Sequence, residues 1–271
     1  MSGPHLVRMI FADPTSLWAA GILNSDAFPL PLRRDAATVA HCLAAFRLAC
    51  ETVIRDVPKA PQLISRIIEM MGPHDFAPTP EKPIVFLYET MSFTGSVYGM
   101  LITTKSLFDV CAPLVTRSLV ATEVVKMFSK EAVNGVPKVP GGKLLNWLDT
   151  HARRGGDIGE RSKSLHALFR GAIDAWLGVA IKWRDDVAHY GGLKGLEMMA
   201  VPVKRTNRSV REDEVVGPFM PDGTPVALYA DQLLNRTLDL IGQTVRLLPS
   251  VDAARLLAPT LDARFPLPQT G

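Results

Sequence analysis

The feature that most constrains the fold is a long helical pattern over residues 161–190. Seven apolar residues of this segment fall on one face within about 80°, at about 100° per residue: Leu165, Phe169, Ala172, Trp176, Val179, Trp183 and Val187. A second apolar group lies about 60 to 140° around the axis from Trp176: Ile173, Leu177, Ile181 and Ala188. A one-sided surface helix needs less apolar surface than this. We therefore expect a helix at the centre of a bundle, or one whose second face meets another subunit.

Other periodic segments predict the helices around it. We expect helices over about residues 35–56, with Asp35 as N-cap and Pro58 as stop, and over about 60–71, 84–110, 143–154 and 229–248. A further helix is predicted from Pro113 to about residue 132. We expect two short strands around a basic turn, over residues 196–203 and 209–216. The predicted fold is mainly α, an up-and-down helical bundle with a small β-hairpin inserted before the last helix.

The domain boundaries follow the prolines and the end of the periodic pattern. Residues 1–34 hold four prolines and no sustained period, which predicts an irregular arm with a short helix near residues 16–23. The helical domain should span residues 35–248, with the hairpin at about 196–216, and residues 249–271 form a tail. The glycines of the segment RRGGDIGER lack a preceding strand and phosphate-binding spacing, so we interpret them as conformational.

Composition excludes several classes of protein. With 47% apolar and 21% charged residues, the chain resembles an ordinary folded protein. Three widely spaced cysteines, Cys42, Cys50 and Cys111, indicate neither a disulfide framework nor a metal site. The start MSGPHLVRM is too polar for a secretory signal. Between Glu89 and Lys105 lie fifteen uncharged residues, fewer than the roughly 18 that span a bilayer. We expect a cytoplasmic protein with no membrane contact.

Positive charge is concentrated in one part of the chain. The whole sequence has a formal net charge of +3, but residues 143–211 hold thirteen Lys or Arg against seven Asp or Glu. The asymmetry suggests an anionic partner, and a solvated surface is an equal alternative. Four basic residues of the predicted hairpin turn could hold an RNA backbone or simply face solvent: Lys204, Arg205, Arg208 and Arg211.

The end of the long helix carries the residues most able to perform chemistry. There the sequence reads Arg-Asp-Asp-Val-Ala-His-Tyr over residues 184–190. Asp185 and His189 lie about 40° apart around a helix, so the carboxylate can reach the imidazole, orient it and raise its basicity. Arg184 lies about 140° from His189. These two side chains can meet on one substrate only if the helix end unwinds at Gly191-Gly192 or a second copy contributes its own residues.

This segment resembles the Arg-polar-x-x-x-His signature of HEPN domains, which are helical bundles of prokaryotic toxins, defence systems and RNA-processing proteins. The resemblance implies a metal-independent endoribonuclease that needs no cofactor. Arg184 would bind the scissile phosphate, His189 would transfer the proton of the 2′-hydroxyl or leaving group, and Asp185 would orient His189 or contact RNA. It also implies a homodimer, with a neutralising or regulatory protein as a possible further partner.

Two other interpretations remain open. The chain could be a non-catalytic HEPN-like module that binds nucleic acid, a nucleotide or a protein. Alternatively, it could be a helical scaffold in which Arg184 and His189 only cap carbonyls and interact with the helix macrodipole. We interpret Tyr190 as a structural residue. We interpret Asp186 as solvated or salt-bridged rather than catalytic.

Overall fold

The computed structural model describes residues 27–62, 84–87, 91–190, 193, 197–200, 215–249 and 251. Its α-helices are α1 (Arg33–Asp56), α2 (Met91–Leu119), α3 (Gly142–Ala152), α4 (Gly156–Ala172), α5 (Gly178–Tyr190) and α6 (Val226–Leu247). The strands are β1 (Ile84–Leu87), β2 (Glu131–Val133), β3 (Val136–Val139), β4 (Glu197–Ala200) and β5 (Val215–Phe219). A π-helical segment, Ile173–Leu177, joins α4 to α5. The prediction of a mainly α fold is confirmed.

The chain divides into two compact units. Unit 1 comprises Met1–Arg47, Thr103–Ile181 and Arg236–Gly271, and unit 2 comprises Leu48–Ile102 and Lys182–Asn235. Unit 1 holds the β2–β3 hairpin, and unit 2 holds an antiparallel sheet of order β1-β4-β5. Each unit therefore combines helices with a small sheet of its own.

Aromatic side chains form the centre of unit 1. Phe108, Phe128 and Phe169 are buried, with ring centroids 5.6 Å apart for the first two and 6.1 Å apart for the last two. Asp109 accepts a hydrogen bond of 2.9 Å from the backbone N–H of Phe128, which holds the irregular segment after α2 against this cluster. Large aromatic side chains contribute strongly to stability when buried, so this cluster anchors α2 and α4.

Helix α1 buries one side and exposes the other. Its inner positions in unit 1 recur at helical spacing: Ala36, Val39, Leu43 and Phe46. Asp35 lies in the first turn and pairs with Arg117 of α2 at 2.8 Å. The stretch Leu30–Gln62 is long and apolar enough to cross a membrane, a property shared by core helices of soluble proteins and by signal sequences.

The sheet of unit 2 corrects one predicted helix. Residues 84–87 form β1, which pairs antiparallel with β4, and the helix begins only at Met91. The helical prediction for 84–110 was wrong at its start because a short apolar run such as IVFL fits a buried strand as well as a helix. β4 lies within the first strand predicted, at 196–203, whereas β5 overlaps the second, at 209–216, only at its last two residues; residues 209–214 lie outside the described residues. β4 and β5 are antiparallel neighbours.

Helix α2 corrects the next boundary. It continues through Pro113 to Leu119, after which the chain is irregular until the β2–β3 hairpin. The predicted helix from Pro113 to about residue 132 is therefore helical only as far as Leu119, as part of α2, and the prediction was wrong beyond that residue. A proline in a helix costs about 3 kcal/mol, but Ala112 and Leu114 beside it are buried, so their packing favours continuation.

The π-helical segment changes the buried side of the long helix. Before it, Leu165, Phe169 and Ala172 are buried as predicted. After it, Leu177 and Ile181 of the second predicted group are buried, as are Trp183 and Val187 of the first, whereas Val179 is 45% exposed and Ala188 is exposed. Placing Val179 and Ala188 in the core was wrong. A π turn holds an extra residue and rotates the later side chains, and the buried side after it includes residues of both predicted groups.

Two helix starts differ from the prediction: α1 begins at Arg33, so Asp35 lies inside its first turn rather than at the N-cap, and α4 begins at Gly156 rather than at residue 161. The helices expected at 143–154 and 229–248 are α3 and α6, with ends shifted by up to three residues. Gly155 and Gly156 have positive φ angles of 72° and 66°, in keeping with a conformational role. Most of the arm at 1–34, most of the helix at 60–71, the Gly191-Gly192 end and most of the tail at 249–271 lie outside the described residues.

Candidate active site

The three predicted catalytic residues lie on the last turns of α5. Trp183 and Val187 are buried on the inner side of these turns, so the helix is held by its apolar side. The indole of Trp183 lies 5.0 Å from the ring of Tyr229 of α6. Just past the helix, the backbone N–H of Leu193 donates a hydrogen bond of 3.1 Å to the hydroxyl of Tyr98. Contacts on both sides of the helix end thus fix its position within unit 2.

Arg184 lies at the edge of the buried side. Its side chain is 29% exposed, and Nη1 donates a hydrogen bond of 3.0 Å to Oδ1 of Asp185. Its Nε is buried and has no hydrogen-bond partner among the described residues. A buried N–H without a hydrogen-bond partner lowers stability by about 1 to 3 kcal/mol. The partly exposed guanidinium of Arg184 therefore has a donor, its Nε–H, that a ligand could use.

Asp185 and His189 differ in their surroundings. The side chain of Asp185 is 17% exposed, and its carboxylate accepts the hydrogen bond from Arg184. His189 is exposed, and none of the described residues forms a hydrogen bond with its ring. The structure therefore brings Asp185 to Arg184, while the expected orientation of His189 by Asp185 stays a prediction.

Arg184 and His189 do not converge within one chain. The helix is regular from Gly178 through Tyr190, so the two residues keep the separation of about 140° that an α-helix gives to positions five apart. One is partly buried and the other is exposed. For one substrate to contact a guanidinium and an imidazole of this site, one of the two groups would have to come from a second copy of the chain.

The predicted RNA-binding turn falls between β4 and β5 in the sequence. Lys204, Arg205, Arg208 and Arg211 lie outside the described residues, between β4 and β5. The described flanking strands pair antiparallel, with Ala200 opposite Val215. In the sequence, these four residues therefore lie between two neighbouring strands of one sheet.

A second polar cluster, missed by the sequence analysis, surrounds a buried histidine in unit 1. His151 is 1% exposed, and its Nδ1 donates a hydrogen bond of 2.8 Å to the carbonyl of Trp147. Its ring stacks on the indole of Trp147, and Nε2 lies 3.1 Å from Oε2 of Glu123, outside hydrogen-bond geometry. Arg154 also approaches Glu123, at 3.3 Å. The spacing of four between Trp147 and His151 was the available signal.

This cluster has a structural role. It attaches the irregular segment after α2 to the C-terminal turn of α3, where the positive end of an ion pair is favourable. In the described part of the chain, no group of three or more His, Cys, Asp or Glu side chains could hold a metal ion. The three cysteines are free thiols.

No protein-family model, no curated protein and no solved structure matches this chain.

Proposed function

We propose that this chain is a HEPN-type endoribonuclease that cleaves RNA without a metal ion. The observation that carries the proposal is the end of α5, where an exposed imidazole and a partly exposed guanidinium lie five residues apart on a helix held by its buried side. Imidazole is the usual general acid or base near neutral pH. A guanidinium is well suited to hold a phosphate through paired hydrogen bonds.

The reaction uses these groups in separate roles. The 2′-hydroxyl of one nucleotide attacks the adjacent phosphorus, its O–P bond forms, and the P–O bond to the 5′ oxygen of the next nucleotide breaks. The products are a 2′,3′-cyclic phosphate and a free 5′-hydroxyl. His189 accepts the proton of the attacking hydroxyl or supplies one to the leaving oxygen. Arg184 stabilises the negative charge that develops on the phosphoryl oxygens.

Two features of Arg184 bear on phosphate binding. Its Nη1 is held by Asp185 at 3.0 Å, and its buried Nε has no partner among the described residues. A phosphate oxygen that reached the guanidinium would compete with the carboxylate of Asp185. Asp185 would therefore keep Arg184 in position before RNA binds and weaken the binding of phosphate.

The separation of Arg184 and His189 supports a site built from two copies of the chain. Because about 140° lies between them, one α5 presents the two groups in different directions. Two α5 ends related by a two-fold axis would let the arginine of one copy and the histidine of the other act on one phosphodiester. The homodimer implied by the resemblance would serve this purpose.

The decisive experiment measures RNA cleavage in EDTA. The purified chain should produce cyclic phosphate ends, and His189→Ala should reduce the rate by about 10²- to 10⁴-fold. His41→Ala removes an exposed histidine from α1 and is the matched control. Equal rates for the wild-type chain and His189→Ala would overturn the proposal.

The non-catalytic binding module is the second candidate. Its support is the Arg184–Asp185 hydrogen bond, because a guanidinium neutralised by its neighbour is poorly prepared for phosphate. This alternative predicts RNA binding that survives His189→Ala and is lost when Lys204, Arg205, Arg208 and Arg211 are changed to glutamate. Cleavage that depends on His189 would exclude it.

A further inference from the structure

Unit 1 contains a cavity that none of the candidate active-site residues lines. It has a volume of about 320 Å³ and lies between the α4–π segment on one side and α6 on the other. The first wall is apolar and contains Leu168, Gly171 and Trp176, while the second presents polar groups. A volume near the lower end of the range for ligand sites, about 300 to 1,000 Å³, suits a small molecule.

The π-helical segment forms part of this cavity. Trp176 belongs to the segment, lines the cavity, and packs edge-on against Phe108 with ring centroids 6.4 Å apart. The indole is thus held by a buried neighbour and remains partly exposed. π-Helical turns occur often at functional sites, and here the turn supplies a fixed aromatic surface for an apolar group.

The facing helix supplies charges of both signs. Arg236, Asp239 and Gln243 line the cavity from successive turns of α6. Oδ2 of Asp239 accepts a hydrogen bond of 2.7 Å from Nε2 of Gln243. Arg236 is exposed and forms no ion pair with any residue that the structure describes. Residues three apart on a helix are neighbours, so one guanidinium and one carboxylate lie side by side at the rim.

We propose that this cavity binds a free α-amino acid with an apolar side chain. The carboxylate of the ligand pairs with Arg236, and its ammonium group pairs with Asp239. The apolar side chain lies against Trp176 and Leu168. A simple anion would face the negative Asp239 and a simple cation would face Arg236, whereas a zwitterion satisfies both groups.

Gly171 provides a way to close the cavity without disturbing the core. It is exposed, and a Cβ atom built there has no neighbouring atom within 4 Å. The side chain in Gly171→Leu would therefore enter open space along the cavity wall. Gly171→Ala adds only one methyl group to the same wall, so it should weaken binding less than Gly171→Leu.

The test is calorimetric titration of the full chain with L-phenylalanine, L-leucine and L-methionine up to about 10 mM. At least one should bind. L-phenylalaninamide lacks the carboxylate and N-acetyl-L-phenylalanine lacks the ammonium group, so both should bind at least about tenfold more weakly than the matching amino acid. Absence of binding by all three amino acids overturns the proposal, as does equal binding of the N-acetyl compound, which would indicate a site for anions.

Variants then locate the binding. Arg236→Gln should weaken it by about tenfold or more, and Gly171→Leu should abolish it. Arg246→Gln, which removes another exposed arginine of α6, should leave the affinity within about twofold. Binding unchanged in both Arg236→Gln and Gly171→Leu would place the ligand elsewhere and overturn the assignment. RNA cleavage plays no part in this readout, so the result is independent of the proposed nuclease activity.

Discussion

The long helix is built differently near Phe169 and near His189. Around Phe169, the side chains facing inward are apolar and buried, and aromatic rings from three segments meet. Around His189, charged groups lie at the edge of the buried side, and one buried donor of Arg184 has no described partner. Tightly packed apolar regions such as the one around Phe169 determine stability. Polar groups without partners, such as the one near His189, are typical of sites that bind a ligand. Substitutions in the two regions should therefore affect different measurements.

The largest effect is expected in the aromatic cluster. Phe169→Ala should lower the free energy of unfolding by about 3 to 5 kcal/mol because it removes a fully buried ring and leaves a cavity. Urea unfolding measures this change. Phe169→Leu retains most of the volume and should cost less. A loss below about 1 kcal/mol for Phe169→Ala would show that this region is not the core we describe.

Two glycines of the same helix should respond to alanine with opposite signs. A Cβ atom at Gly178 would lie 2.7 Å from the carbonyl oxygen of Ile173, so Gly178→Ala should destabilise the chain by about 1 to 3 kcal/mol. Gly171→Ala meets open space and should stabilise it by about 0.5 to 1 kcal/mol. Thermal unfolding compares them. Equal shifts would contradict the π-helical geometry after Ile173.

The buried thiols should make stability depend on pH. Burial raises the pKa of the Cys111 thiol, and electrostatic repulsion from the side chains of Cys42 and Asp109 raises it further. The unfolded thiol ionises near pH 8.5, while the folded thiol stays neutral. Its contribution to stability is therefore complete below that pH and is lost as the pH rises. Above pH 8.5, the unfolding free energy of the wild type should fall more steeply than that of Cys111→Ala, by up to about 1.4 kcal/mol per pH unit. Equal slopes would contradict burial of this thiol.

The smallest effect on stability is expected at the candidate active site. His189 is exposed, so His189→Ala should change the free energy of unfolding by no more than about 0.5 kcal/mol. Urea unfolding of the variant used for RNA cleavage provides the measurement. A loss of more than about 1 kcal/mol would favour the scaffold interpretation, in which His189 stabilises the helix end.

The helices could be predicted because their apolar residues repeat at the helical period. This pattern located α1, α3 and α6 to within three residues, and the long helix formed by α4, the π segment and α5 except for its first turn, which starts at Gly156 rather than at residue 161. It failed at β1, whose four apolar residues gain their strand structure from pairing with β4, more than 100 residues later in the chain. It failed again at Pro113, where packing overrides the local preference of proline.

The candidate site was predictable in composition but only partly in geometry. The sequence identified Arg184, Asp185 and His189 and the angle between them, because these follow from helix spacing. The preference of Asp185 for Arg184 depends on side-chain conformations that spacing alone does not determine. The cavity near Trp176 was missed because it depends on the π turn and on α6, which are set by tertiary packing.

The π-helical segment has one more consequence, for insertions and deletions. Removal of a single residue between Ile173 and Leu177 would restore a continuous α-helix and turn every later side chain by about 100°, with a shift of 1.5 Å along the axis. Val179 would then face inward, and the whole terminal stretch, including Arg184 and His189, would point in new directions. A change of one codon in this stretch would redirect the candidate active site without altering any of its residues.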